Sequence, residues 1–248
     1  MIWEPKARLK FLQKSLNSLL QEVRLPPYIM GGRKGRSIKL NAKPHIRKPM
    51  VSTYDIRKFF DSVRMERVHD TLLSLGCSED VAAVITRLTT LNYALPQGAP
   101  SSPILAVLVF LPSARRLYGL AKSMGASYTV YIDDSAFSGK KEIEGAEGLI
   151  LEIFIQGGFR LNPKKIKHMR HTEEQVVTGI AVNRERDITR KFLAAFDAEL
   201  ECLKQDVPGK SMKRRVARLE GWIGFAKHIN RRRGKQMAKA LAVVPQGN

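Results

Sequence analysis

Thr129-Val130-Tyr131-Ile132-Asp133-Asp134-Ser135-Ala136-Phe137-Ser138 is the stretch on which the reading of this chain turns. Apolar and β-favouring residues run up to an acidic pair and resume after it. The pattern predicts strand, tight turn, strand, with two carboxylates at the tip. Adjacent anions repel and resist desolvation, and a divalent metal with hard oxygen ligands is one reason to keep them there. The other reading is a solvated turn, because Asp is a favoured turn residue.

The surrounding composition bears on that choice. The chain has 248 residues, 44% of them hydrophobic, enough for one large domain or a main domain with a small appendage. Lys and Arg number 43 against 23 Asp and Glu, a formal net charge of +20. Such a surplus points to a polyanion, nucleic acid first and an anionic membrane surface second. No apolar run is expected to cross a bilayer, and Met1-Ile2-Trp3-Glu4-Pro5 lacks the pattern of a signal peptide. Cys77 and Cys202 give neither a disulfide framework nor a zinc pattern, so a reduced, cytoplasmic protein is expected.

Upstream, residues 6–24 predict an amphipathic helix with Leu9, Leu12, Leu16, Leu19, Leu20 and Val23 on its apolar face, stopped by Pro26-Pro27. Gly31-Gly32-Arg33-Lys34-Gly35-Arg36 follows. Its spacing fails the P-loop pattern, which excludes that NTPase class. The loop suits phosphate contact through Arg33, Lys34 and Arg36, or is a plain solvated loop. Residues 51–56 predict a strand ending near Asp55, then a turn into a helix at Phe59-Phe60. Asp55 is either functional or the cap of that helix. Residues 65–76 and 78–92 predict two helices. Leu95 to Pro103, with Gln97 inside it, is a loop of small residues and prolines that feeds an apolar helix from Ile104 to about Leu120.

Downstream, residues 142–156 predict one helix and residues 174–182 one strand. Helices follow from Thr189 and, after a Pro208-Gly209 break, to the end. Arg231-Arg232-Arg233 makes the last segment a candidate for nucleic-acid backbone binding, or a solvated face. His168 and His171 lack further zinc ligands nearby and are expected at the surface or facing phosphate.

Asp55, Asp133 and Asp134 all stand at strand ends. If their strands lie side by side, they can hold two Mg²⁺ ions about 3.5–4 Å apart, the arrangement that activates a 3′-hydroxyl and neutralises a triphosphate.

The ordered motifs then carry a resemblance. Tyr54-Asp55-Ile56-x-x-Phe59-Phe60, Leu95-Pro96-Gln97-Gly98-x-Pro100-x-Ser102-Pro103 and Tyr131-x-Asp133-Asp134 resemble those of reverse transcriptases. Gly158-Phe159-x-Leu161-Asn162-Pro163-x-Lys165 and Val177-Thr178-Gly179 follow in the same order. Together they cover roughly residues 28–183. Asn41-Ala42-x-x-His45 and the Val177-Thr178-Gly179 triplet resemble signatures of the retron branch.

The resemblance implies an α+β fold. It has a right-hand polymerase palm with a mainly antiparallel sheet, reduced helical fingers and a small helical thumb. Fingers and palm would occupy residues 1–188, with the fingers at about 1–48 and 65–95, and the thumb residues 189–248. It implies RNA-directed DNA synthesis on a structured noncoding RNA, with dNTPs as substrates, an RNA–DNA hybrid as product, a role in anti-phage defence and a possible effector protein. Asp55 and Asp133 would bind two Mg²⁺ ions, or Mn²⁺ as a substitute, with Asp134 in support and the Ile56 carbonyl as a further ligand. Phe60 would reject ribonucleotides, Gln97 would line the nucleotide pocket, and Lys165 would lie near the pyrophosphate. Asn41 and His45 would contact the RNA or support the palm. Other readings are a group II intron-like or orphan defence reverse transcriptase, and a noncatalytic palm-fold RNA-binding subunit.

The chain departs from the pattern twice. Ile132 stands where retron enzymes mostly carry Ala. Met1 to Pro5 resembles only the last residues of the family's fingers hairpin, whose Lys and Arg grip the triphosphate. A naturally short chain, a misassigned start or another chain supplying the fingers would each account for it.

Overall fold

A computed structural model describes residues 3–140, 142–205 and 210–244; the expected break at Pro208-Gly209 and the first two residues of the fingers remnant lie outside them. Helix α1 (Ala7–Leu20) forms where expected, but only Gln13 and Leu20 of it are buried. Leu12 and Leu19, expected to face the core, are exposed together with Phe11. Helix α2 (Ile38–Ala42) starts at Ser37, whose hydroxyl accepts from the Leu40 N–H, and passes into a 3-10 turn at Lys43–His45.

Strand β1 (Met50–Asp55) leads through Lys58, in the left-handed region at φ 49°, into the short helix α3 (Phe59–Ser62). Helices α4 (Met65–Ser74) and α5 (Glu79–Thr89) follow. Helix α6 (Ser102–Ser123) then runs through the centre of the main core. By length and composition α6 could cross a membrane, contrary to the sequence expectation, yet most of it is buried inside the protein. Its apolar surface is therefore spent on the core.

Strands β2 (Ser127–Tyr131) and β3 (Asp134–Gly139) form the expected acidic hairpin. The predicted helix at 142–156 is split into α7 (Glu142–Gly145) and α8 (Glu147–Gln156) at Ala146, next to Gly145. A 3-10 turn at Pro163–Lys165 precedes β4 (Lys167–Arg170). The sheet order is β2-β3-β1-β4, antiparallel throughout. One face packs Tyr54, Tyr128, Val130 and Phe137 onto α6 and Phe154. The other face gives Val51, Ala136 and Met169 to a second core. With both faces covered, even the polar Ser52, Thr129, Ser135 and Ser138 of these strands are buried.

The strand predicted at 174–182 is a hairpin, β5 (Val176–Val177) and β6 (Ile180–Ala181), with β7 (Asp187–Ile188) beside it. Thr178 and Gly179 both have positive φ, 46° and 79°, the two-residue turn that suits strand twist. Helices α9 (Arg190–Lys204), α10 (Lys210–Ile229) and α11 (Arg231–Ala242) close the chain. Their apolar residues share the second core with β5–β7, so this core begins before the C-terminal helices do.

Candidate active site

The two-residue turn Ile132-Asp133 joins β2 to β3. Ile132 has φ 60°, a region that a β-branched residue adopts only under strain. What holds it there is visible. The outer edge of β2 is covered by residues 28–31: Ile29 bridges Val130 in parallel, and the Met30 N–H donates to the Val130 carbonyl at 2.8 Å. Gly31 lies so close that a Cβ on it would sit 2.2 Å from the Ile132 nitrogen. A side chain there is excluded by backbone, which makes Gly31 part of the turn's support.

From behind, His45 clamps both strands. Its Nε2 is 2.8 Å from the Thr129 hydroxyl and its Nδ1 2.7 Å from that of Ser138. The ring is 0% exposed. Burial, with Lys48 adding repulsion, lowers its pKa to about 3, so the imidazole is neutral, with one nitrogen donating and the other accepting. Asn41, also buried, donates from Nδ2 to the Thr178 hydroxyl at 3.2 Å. The two signatures, far apart in sequence, are thus joined. Both side chains are buried, and their partners are within the fold: Thr129 and Ser138 for His45, and Thr178 at the turn of the small sheet for Asn41.

The sheet brings the acids together as expected. Asp55 of β1 is in register with Asp134 of β3, and the Ile56 N–H donates to the Asp133 carbonyl at 3.0 Å. Like charges directly opposite across a sheet destabilise it. Accordingly the Asp134 carboxyl is pushed up to about 6, by burial first and then by Asp133 and Asp55. Asp133 is raised too, chiefly by burial. Lys165 relieves part of this, its Nζ 2.8 Å from Asp55 Oδ2, and its own pKa is raised by that bond.

Asp55, Ile56, Phe60, Gln97, Asp133 and Lys165 line one cavity of about 350 Å³. Asp134 is adjacent but not on its wall. The sequence reading gave no separate role to Asn162, which lines the same cavity and whose N–H donates to the Asp55 carbonyl at 2.9 Å. Its signal was its place in the motif ending at Lys165. Among the described residues, no three Asp, Glu, His or Cys side chains form a closed metal cage. Two carboxylates on an open pocket instead suit a hard divalent cation that keeps water and substrate phosphate as its other ligands.

The basic residues divide. Lys34, Arg231 and Arg232 are exposed and Arg36 is half-exposed. Arg33 donates to the Pro26 carbonyl, and Arg233 pairs with Asp187 at 2.8 Å, so these two act first within the fold. His168 is corrected as well. It is half-buried between the Ser52 hydroxyl at 2.9 Å and Glu147 at 3.2 Å, not turned to phosphate.

Sheet, hairpin and helices define a right-hand polymerase palm. A solved structure of the foamy viral protease-reverse transcriptase in complex with RNA/DNA hybrid has this fold. It aligns at TM-score 0.51 and 19% identity, over 80% of this chain and 24% of that one. A family model described as reverse transcriptase (RNA-dependent DNA polymerase) matches residues 2–193. The chain belongs to the reverse transcriptase family, in its retron-type branch. It is 32% identical to the retron Mx65 reverse transcriptase of Myxococcus xanthus, over 96% of this chain and 60% of that protein. It is 31% identical to the retron Ec86 reverse transcriptase of Escherichia coli, over 90% and 70%.

Proposed function

We propose that this chain carries out RNA-directed DNA synthesis of the retron type, copying a structured noncoding RNA into DNA in the cytoplasm as part of anti-phage defence. The observation that carries the reading is the single cavity shared by Asp55, Asp133, Phe60, Gln97 and Lys165. Two Mg²⁺ ions, or Mn²⁺ in their place, held by Asp55 and Asp133 with Asp134 and the Ile56 carbonyl in support, would supply an activated hydroxyl nucleophile and charge neutralisation at the pyrophosphate. The chain's own groups do the rest. Gln97 and the small residues after it form the floor for the incoming nucleotide. Phe60 stands against the sugar and rejects a 2′-hydroxyl by bulk. Lys165, exposed and poised on Asp55, offers positive charge or a proton to the leaving group.

Lys34, Arg36, Arg231 and Arg232 are assigned to RNA phosphates, consistent with the net charge of +20. Fingers and palm are assigned to residues 1–188 and the thumb to 189–248, with an effector protein as a further partner. Nucleotide choice tests the reading. On an RNA template with an annealed primer, Phe60→Ala is expected to lower the preference for dNTPs over rNTPs by tenfold or more. Extension by the parent protein with an unchanged preference in the variant would remove Phe60 from the sugar and the assignment of this pocket with it.

A further inference from the structure

Besides Lys165, two bases line the cavity of Asp55 and Asp133: Arg57 and Lys58. They occupy the turn between β1 and α3, where the backbone is fixed on both sides. The Ile56 N–H donates to the Asp133 carbonyl at 3.0 Å, and the Arg57 N–H to the Arg160 carbonyl at 2.8 Å. Ile56 also bridges Leu161, and the Lys58 carbonyl accepts from the Ser62 N–H at 2.9 Å. Lys58 sits at φ 49°, ψ 49°, a left-handed conformation uncommon for a side chain of this length. Backbone strain of this kind gathers at ligand sites.

The two side chains, by contrast, are unspent. Both residues are exposed, and among the described residues neither side chain has an ion-pair or hydrogen-bond partner. Lys165, on the same wall, is already paired with Asp55. Three carboxylates line the cavity, those of Asp55, Asp61 and Asp133. Against Lys165 alone they would leave the wall negative, and it would repel a polyanion. Arg57 and Lys58 bring bases and acids to equal number, so the charge of metal ions held there is left for the ligand. Both cations share a space of about 350 Å³ with Phe60 and Gln97, which suits one nucleotide better than a strand.

We propose that the side chains of Arg57 and Lys58 grip the triphosphate of the incoming nucleotide, Arg57 through its forked N–H donors and Lys58 as a point charge. The assignment rests on the polymerase reading of this cavity.

The test uses the full chain on an RNA template with an annealed DNA primer, in Mg²⁺. The probe is a dNTP whose α,β-bridging oxygen is replaced by NH, which binds but cannot be incorporated, and its binding is followed by calorimetry. Arg57→Gln and Lys58→Gln are each expected to weaken analogue binding about tenfold, with affinity for primer–template changed by less than about twofold. Arg57→Lys, which keeps the charge, is expected to lose less than Arg57→Gln. In extension with natural dNTPs, both Gln variants are expected to raise KM more than they lower kcat. Both positions are exposed, and melting curves check that the variants fold. Analogue binding that is absent in the parent, or unchanged in either Gln variant, overturns the proposal. A loss of primer–template affinity as large as the loss of analogue affinity also overturns it, and assigns the cations to the strand. A parent that binds the analogue through Arg57 and Lys58 but extends no primer supports the grip and removes the polymerase reading instead.

Discussion

Two hairpins in this molecule are closed by two-residue turns of different geometry. At Thr178-Gly179 both positions have positive φ, and glycine fills one of them. At Ile132-Asp133 the left-handed position is filled by isoleucine, the kind of residue least suited to it. The first hairpin is short, two paired residues a side, and is pinned by one bond from Asn41. The second has five paired residues a side, a covering segment at 28–31 and the His45 clamp. Both turns put a β-branched residue at positive φ, Thr178 at 46° and Ile132 at 60°, and what sets the pocket's turn apart is its acidic residues and the number of supports around it.

Removing a support of the strained turn should have the largest effect. Gly31→Ala puts a methyl group 2.2 Å from the Ile132 nitrogen and 2.7 Å from the Tyr131 carbonyl carbon. Because both obstacles are backbone, the hairpin and its covering segment must part. A loss of about 3 kcal/mol is expected in urea denaturation. A loss below 1 kcal/mol would show that the contact can relax.

His45 is the next support. His45→Ala leaves two buried hydroxyls without their partner and should cost about 2 kcal/mol. The pH dependence sharpens this. The His45 pKa is lowered on folding from 6.5 to about 3, so its contribution is full above pH 6.5 and is lost as pH falls toward 3. Asp134 is raised from 3.8 to about 6, so its contribution is full below 3.8 and is lost as pH rises through 6. The two oppose each other between pH 4 and 6. His45→Gln should expose the Asp134 slope: the variant should melt progressively higher as pH is lowered from 6 to 4, and wild type should change less. Parallel curves for the two proteins would contradict the assignment.

The smallest effect is expected at the turn itself. Ile132→Gly relieves backbone strain of about 1–3 kcal/mol but loses half-buried apolar contact and adds chain entropy, each about 1 kcal/mol. A net stability change within about 1 kcal/mol is expected in the same denaturation. A loss above 3 kcal/mol would mean that isoleucine packing, not the turn's surroundings, sets this geometry.

The palm was legible because short β-favouring runs, residues 51–54 and 129–131, each lead into acids at a turn. The register that sets Asp55 opposite Asp134 needed only that β1 lie beside β3. The hairpin at 176–181 was missed because two-residue strands have no periodicity to read, although Thr178-Gly179 marks the turn. The apolar side of α1 was misjudged for a different reason. Leucine spacing shows that a face exists, but not whether the fold has a place to bury it. His45 had no signal at all in isolation. Its two hydrogen bonds span 84 and 93 residues, and only the folded sheet brings Thr129 and Ser138 to one ring.

Primer extension tests the central claim, that the carboxylates gathered at this hairpin perform nucleotidyl transfer. The full chain, Mg²⁺ and dNTPs are combined with a DNA primer annealed to an RNA template, and Asp133→Asn is run beside it. The account predicts extension by the parent protein and a rate at least about a hundredfold lower in the variant, with no loss of thermal stability because a repelling charge is gone. Extension by Asp133→Asn at the parent rate, or a folded parent protein that binds the template and extends nothing, would contradict it.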